Sequence, residues 1–374
     1  MQHTHRLSQL RETLVREGMT ALLLTDPLHV TYLTGFTGDS SFLLVTVSRM
    51  ILISDSRFEI QIAEECPGLD TAIRDHTRNT WQEAARVLES CALREVAVES
   101  GHLTLNDLAR LRGLSPLIEF VPIDGWLQAQ RAIKDAGEIG LIRRAIQQGE
   151  QALAMLRQHA QPEWSEKHAA QRLEQYLHEV GADERSFPII IGVGARSALP
   201  HAPPLAEVLL GTSPFYLIDW GAKTSGYHGD TTRVMATPDA RNRFDGSERG
   251  RVEKQLATLY TTVLYAQRAA ATAVRPGVSV KEVDAAARAV IDAAGWGDHF
   301  NHGLGHGVGL QIHESPSIRG NSDDVLQAGM VITLEPGVYL PDFGGVRIED
   351  TFLITAEGCE RLNALPHEWE YYFA

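Results

Sequence analysis

Read from its amino terminus, the chain alternates compact apolar runs with amphipathic stretches. "ALLLTD" (21–26), "SFLLVTV" (41–47), "RMILISD" (49–55) and "REVAVES" (94–100) are apolar runs bounded by polar or turn residues, the pattern of buried strands. Between them, "RFEIQIAEEC" (57–66) and "TWQEAARVLESC" (80–91) read as helices, and "MQHTHRLSQLRETLVREGMT" opens the chain as a polar amphipathic helix. Strands alternating with helices predict an α/β domain over residues 1–125. After "FVPIDGWLQAQRAIKDAGEI" the texture changes to one long helix, roughly 138–160. Residues 126–137 therefore read as a linker, and 138–374 as a second domain.

The second domain contains an echo. "PEWSEKHAAQRLEQYLHEVG" (162–181) and "PGVSVKEVDAAARAVIDAAG" (276–295) share a proline, a serine three residues later and a glycine nineteen residues after the proline. Serine suits a helix N-cap and glycine a helix end. Each unit leads to a strand with an acid, Asp219 lying 38 residues after Gly181 and Glu335 lying 40 after Gly295. The spacing predicts a duplicated helix–helix–strand unit.

Two acid pairs sit in apolar ribbons. A hairpin of "FYLIDWGAKTSGYHGDTTRVM" turning about Thr224-Ser225 places Asp219 opposite Asp230. In "MVITLEPGVYLPDFGGVRIEDTFLIT" a turn centred on Asp342 pairs Glu335 with Glu349, and Arg347 shares the face of Glu349. Singly, each acid reads first as a solvated strand or turn residue. Like charges facing each other across a strand pair destabilise it, so two such pairs call for a compensating cation.

"HGLGHGVGLQIHESP" supplies His302, His306 and His313. Gly303 and Gly305 argue against a zinc-binding HExxH helix, since each costs a helix about 1 kcal/mol. They suit backbone passing close to a site. Four ionised acids carry four negative charges, which two divalent ions with a neutral His306 would offset. Oxygen-rich ligation with one imidazole suits Mn²⁺, with Co²⁺ or Zn²⁺ as alternatives. Paired ions of this kind, bridged by an ionised water, are an established hydrolytic device.

Composition narrows the field. A net charge of −14, from 34 basic and 48 acidic residues, argues against nucleic acid or an anionic membrane surface as partner. Cys66, Cys91 and Cys359 are too dispersed for a metal or disulfide framework, and no apolar run reaches membrane-spanning length. The expected location is cytoplasmic.

At these residues the chain resembles the pita-bread metallopeptidases, a superfamily of methionine aminopeptidase, aminopeptidase P, prolidase and the metal-free creatinase. It is most similar to the short bacterial aminopeptidase P group, over nearly its whole length. "YLTGFTGDSSFLLV" and "SDSRFEIQIA" resemble the creatinase-type N-terminal domain. "SFPIIIGVGARSALPHA", "LIDWGAKTSGYHGDTTR", "GHGVGLQIHESP", "TLEPGVYLP" and "GGVRIED" resemble the catalytic domain. The resemblance implies an N-terminal creatinase-like α/β domain and a C-terminal pita-bread α+β domain with a pseudo-twofold repeat. It implies metal ligands Asp219, Asp230, His306, Glu335 and Glu349, with Asp230 and Glu349 bridging. Active-site roles fall to His201, His302, His313 and Arg347, and Glu335 doubles as a proton shuttle. Tyr339 lies close by. The implied activity is hydrolysis of the N-terminal Xaa-Pro bond of proline-containing peptides by a homodimer. The alternatives are an Xaa-Pro dipeptidase and, more remotely, a non-catalytic binding protein of the same fold. Trp220, directly after the first ligand, either packs in the core or narrows the pocket.

Overall fold

The computed structural model describes residues 2–373, and the chain falls into two compact units that divide between Gln130 and Arg131. In the first unit a mixed six-stranded sheet runs in the order Asp70–Arg74, Met50–Asp55, Phe42–Thr46, Ala21–Leu24, Glu95–Glu99, Glu119–Ile123. The central strands are the apolar runs of the sequence, and Leu22, Leu23, Leu43, Leu44, Leu52 and Ala97 are fully buried. The two outer strands, "DTAIR" and "EFVPI", escape a pattern reading. The first is mostly polar, and the second carries Pro122, which is tolerated because an edge strand leaves one side unpaired. The stretch 126–137 is not irregular chain, since residues Trp126–Ala132 form a helix.

The second unit opens with the helix Ala136–His159, started by a capping box between Asp135 and Glu138. It packs on the helix Glu166–Glu179, as Gly246–Ala273 packs on Val280–Ala293. The echo in the sequence is a repeat in space. Ser165 and Ser279 cap their helices by accepting from His168 N and Lys281 N, and Gly181 and Gly295 end them at φ of 87° and 82°. Both capping serines also make an isolated antiparallel bridge, to Leu209 and Val325 respectively. The first helix pair packs on a three-stranded sheet (Thr231–Ala236, Phe215–Trp220, Ile190–Val193) and the second on a five-stranded sheet. The five-stranded sheet runs Glu314–Ile318, Gly305–Gly307, Val331–Leu334, Asp350–Ile354, Cys359–Arg361.

The first ribbon departs from its expected register. Its turn is Ser225-Gly226, at φ of 49° and 83°, so Thr224 pairs with Tyr227 and Asp219 faces Thr232, not Asp230. A two-residue turn with both φ positive matches the twist of the strands and favours glycine at its second position, which fixes the turn one residue later. The resulting slip of two residues preserves the face. Asp230 precedes Thr232 by two and stays on the side of Asp219. In the second ribbon Leu334 pairs with Asp350 and Gly337 with Arg347, a register centred on Asp342 that sets Glu335 across from Glu349.

Candidate metal centre

The two ribbons are tied together where the acids stand. Thr232 and Glu349 form an isolated bridge, Glu349 N donating to Thr232 O at 3.2 Å and Thr232 Oγ1 donating to Glu349 Oε2 at 2.7 Å. Asp219, Asp230, Glu335 and Glu349 all line one cavity of about 1030 Å³. His306 joins them from the short strand Gly305–Gly307, its backbone N donating to Thr333 Oγ1 at 3.1 Å. The flanking glycines are needed for that approach. A Cβ on Gly305 would lie 2.1 Å from Thr333 O, and one on Gly307 would lie 2.2 Å from Ser315 O.

The donor geometry fits a cation. His306 Nε2 lies 3.5 Å from Asp230 Oδ2 and 3.4 Å from Glu335 Oε1. Ligand atoms of Asp230, His306 and Glu349 all fall within 4.8 Å of one another. Donors each about 2.1 Å from a shared ion stand roughly 3.0–3.4 Å apart, so these separations suit an ion among them. Asp219 Oδ1 and Asp230 Oδ1 are buried without a hydrogen-bond partner among the described residues. Orphaned carboxylate oxygens are costly in a protein interior, and a cation is what this donor set would satisfy.

Electrostatics points the same way. Burial raises the carboxyl of Asp219 above its usual range, and burial together with the charges of Glu349, Asp219 and Glu335 holds Asp230 well above it. Glu349 is held up in the same way, by burial and then by Glu335 and Asp219, while burial brings Glu335 to about 8. Without positive charge the four acids resist sharing this space ionised. Burial lowers His306 to about 3, keeping it a neutral donor, and lowers His302 to about 4.

Arg347 supplies part of the positive charge. Nη2 donates to Asp219 Oδ2 at 2.7 Å, Nε to Thr232 Oγ1 at 3.1 Å and Nη1 to the Tyr339 hydroxyl at 2.9 Å. That hydroxyl shares a further hydrogen bond with His302 Nε2 at 2.9 Å. His201, His302 and His313 line the same cavity, the His313 ring edge-on to His306 at 4.3 Å. Phe187, Ile190, Leu199, Pro200, Pro203 and Ile312 give it apolar walls. All nine residues singled out in the sequence for ligation or catalysis thus meet in one place. Trp220 does not join them. It is fully buried, and its Nε1 donates to Gly149 O at 2.8 Å on the side away from the acids.

Thr232, Thr333 and Arg319 belong to the site but carry no signal strong enough to find from sequence. Thr232 has only its place two residues after Asp230, on the same face.

The family model for metallopeptidase family M24 matches residues 140–356, and that for the creatinase/prolidase N-terminal domain matches residues 6–133. The chain is 32% identical over 363 residues, 97% of its own length and 99% of the relative's, to the uncharacterized peptidase YqhT of Bacillus subtilis. Its structure is similar to that of an Xaa-Pro dipeptidase from Bacillus anthracis (TM-score 0.89, 31% identity, 98% of this chain and 99% of that one). It is also similar to an X-Pro aminopeptidase from Thermotoga maritima (TM-score 0.84, 30% identity, 94% and 97%).

Proposed function

The chain belongs to metallopeptidase family M24 and is a hydrolase, and from that premise we propose that it cleaves the bond between an N-terminal residue and proline. Asp219, Asp230, His306, Glu335 and Glu349 would hold two divalent ions, Mn²⁺ by preference of the oxygen-rich set. The observation that carries this reading is the meeting of three buried acids, the half-buried Glu335 and a neutral imidazole in one apolar-walled cavity. The metal ions supply Lewis-acid activation of water and of a carbonyl when bound.

The chain's own groups have separate tasks. Glu335, whose carboxyl burial raises to about 8, moves a proton towards the leaving proline nitrogen. His313 is neutral, since burial lowers its pKa, and donates to the scissile carbonyl as negative charge develops there. Arg347 and Tyr339 hold Asp219 and His302 in fixed orientation. Phe187, Leu199, Pro200 and Pro203 offer the proline ring an apolar surface, and the substrate's free amine would bind near the acids.

Removal of one residue from longer peptides is the first reading, for which a cavity of about 1030 Å³ has room. A strict dipeptidase is the second, favoured by one observation. Arg319 lines the cavity, its guanidinium without a hydrogen bond or ion pair among the described residues, a cation available to a substrate carboxylate. Digestion of matched Xaa-Pro and Xaa-Pro-Yaa peptides with added Mn²⁺, Co²⁺ or Zn²⁺ decides. Release of Xaa from the longer peptides supports the first reading, cleavage of dipeptides alone the second, and no cleavage of either refutes both.

A further inference from the structure

The segment that carries both His306 and His313 is irregular. The strand Gly305–Gly307 bulges between His306 and Gly307, and the chain returns as Glu314–Ile318 with Gly307 opposite Glu314. His302 shares hydrogen bonds with Gly303 O and Tyr339, and His306 with Gly307 O. The His313 ring has no hydrogen bond among the described residues, only its edge-on contact with His306. Its position must therefore come from its backbone.

That backbone is fastened one residue later. The Glu314 side chain is 5% exposed, and its Oε2 accepts from Arg131 Nη2 at 2.5 Å and from the backbone N of Gln311 at 3.2 Å. Oε1 pairs with Lys134 Nζ at 2.8 Å. Arg131 Nη2 reaches on to Gln311 Oε1 at 3.0 Å, so one guanidinium grips the loop at two points. A Cβ on Gly309 would come within 2.4 Å of Glu314 Oε1, which shows how closely the loop wraps the carboxylate. Both cations are themselves buried. Two desolvated cations facing one carboxylate is a poor way to gain stability, since apolar side chains of the same volume serve as well or better. What a doubly held carboxylate provides is direction.

We propose that Glu314, clamped between Arg131 and Lys134, is a positioning residue that sets where His313 stands over the acids. The inference rests on the peptidase reading above, in which His313 meets the substrate carbonyl. A clamp acting through His313 affects turnover only while that imidazole is present, whereas a merely structural clamp affects it with or without the ring.

The test is a double-mutant cycle of Glu314→Asp with His313→Ala. Aspartate keeps the charge but is one methylene too short to meet both cations from the same backbone. Glu314→Asp alone is expected to lower kcat about ten- to a hundredfold with KM within about threefold, and to add no further loss in the His313→Ala background. Equal losses in both backgrounds overturn the proposal. Amide hydrogen exchange over residues 307–313 gives a readout independent of turnover. Faster exchange there in Glu314→Asp, with the rest of the chain unchanged, supports the clamp, and unchanged exchange refutes it. Should the wild-type chain cleave no Xaa-Pro peptide, the functional reading falls and the exchange result still decides whether Glu314 holds the loop. If Glu314→Asp does not fold, Lys134→Met takes its place in the same cycle with the same expected pattern.

Discussion

Arg347 and Asp219 stand 2.7 Å apart, Nη2 to Oδ2, both buried and contributed by different ribbons. The arginine takes one carboxylate oxygen and leaves the other, Oδ1, without a hydrogen-bond partner among the described residues. Its charge also alters the balance of the site. With two divalent ions bound, as proposed, four ionised acids and one arginine would leave a single positive charge, which would favour an anionic ligand at the site over a neutral one. The arginine is thus part of the electrostatics of the centre and not only a neighbour of it.

Lysine in place of Arg347 keeps the charge but loses the fork that reaches Asp219, Thr232 and Tyr339 together. Arg347→Lys is expected to cut kcat/KM on the order of a hundredfold. Tyr339→Phe, which removes only the hydroxyl between Arg347 and His302, should lose about tenfold. Steady-state kinetics on metal-loaded protein checks both, and a lysine variant of full activity would remove Arg347 from the account.

Metal stabilisation should depend on pH with a definite sign. Burial raises the folded pKa of Asp219, Asp230, Glu335 and Glu349 above unfolded values of about 4. In metal-free protein these groups contribute stability that is complete below about pH 4 and is lost as pH rises through the folded values, about 8 for Glu335. Divalent ions bind the ionised form and displace the protons. The rise in Tm on adding Mn²⁺ to chelator-treated protein should therefore grow from pH 5 to pH 8. A rise that stays flat across this range contradicts the coupling.

Trp220 packs and does not shape the pocket, so Trp220→Phe should cost about 1–3 kcal/mol of stability through the lost bond to Gly149 O and the smaller ring. Its kcat/KM should stay within about twofold of wild type. Denaturant unfolding and kinetics on one preparation separate the two effects, and altered peptide selectivity would place the indole in the pocket after all.

A substrate carboxylate held by Arg319 would make that residue sensitive to peptide length. Arg319→Ala is expected to raise KM about tenfold for Xaa-Pro, whose carboxylate falls nearest, and less for Xaa-Pro-Yaa. An equal change for both peptides would show that the arginine reads no carboxylate.

How much of this was legible beforehand varies by element. The second ribbon could be registered from sequence because Pro341-Asp342-Phe343 leaves one evident centre between two acids. The first misled by two residues, since Thr224-Ser225 and Ser225-Gly226 both look like turns and only the demand for positive φ at two successive residues separates them. That error did not hide the site, because an even slip leaves side chains on the same face. The repeated helices showed themselves through their caps, Ser165 and Ser279, which are local features. Glu314 and its partners did not. Arg131 and Lys134 lie some 180 residues away along the chain, and an ion pair formed only by folding leaves no local pattern to read.

The proposed hydrolysis depends on the four acids and His306 acting together as a cation site. Elemental analysis after equilibrium dialysis against Mn²⁺ tests this directly, on wild type beside Asp230→Ala. The expected result is two ions per wild-type chain, with metal binding and turnover abolished in the variant. Wild-type protein that retains no divalent ion, or an Asp230→Ala variant that binds and cleaves as wild type does, would contradict it.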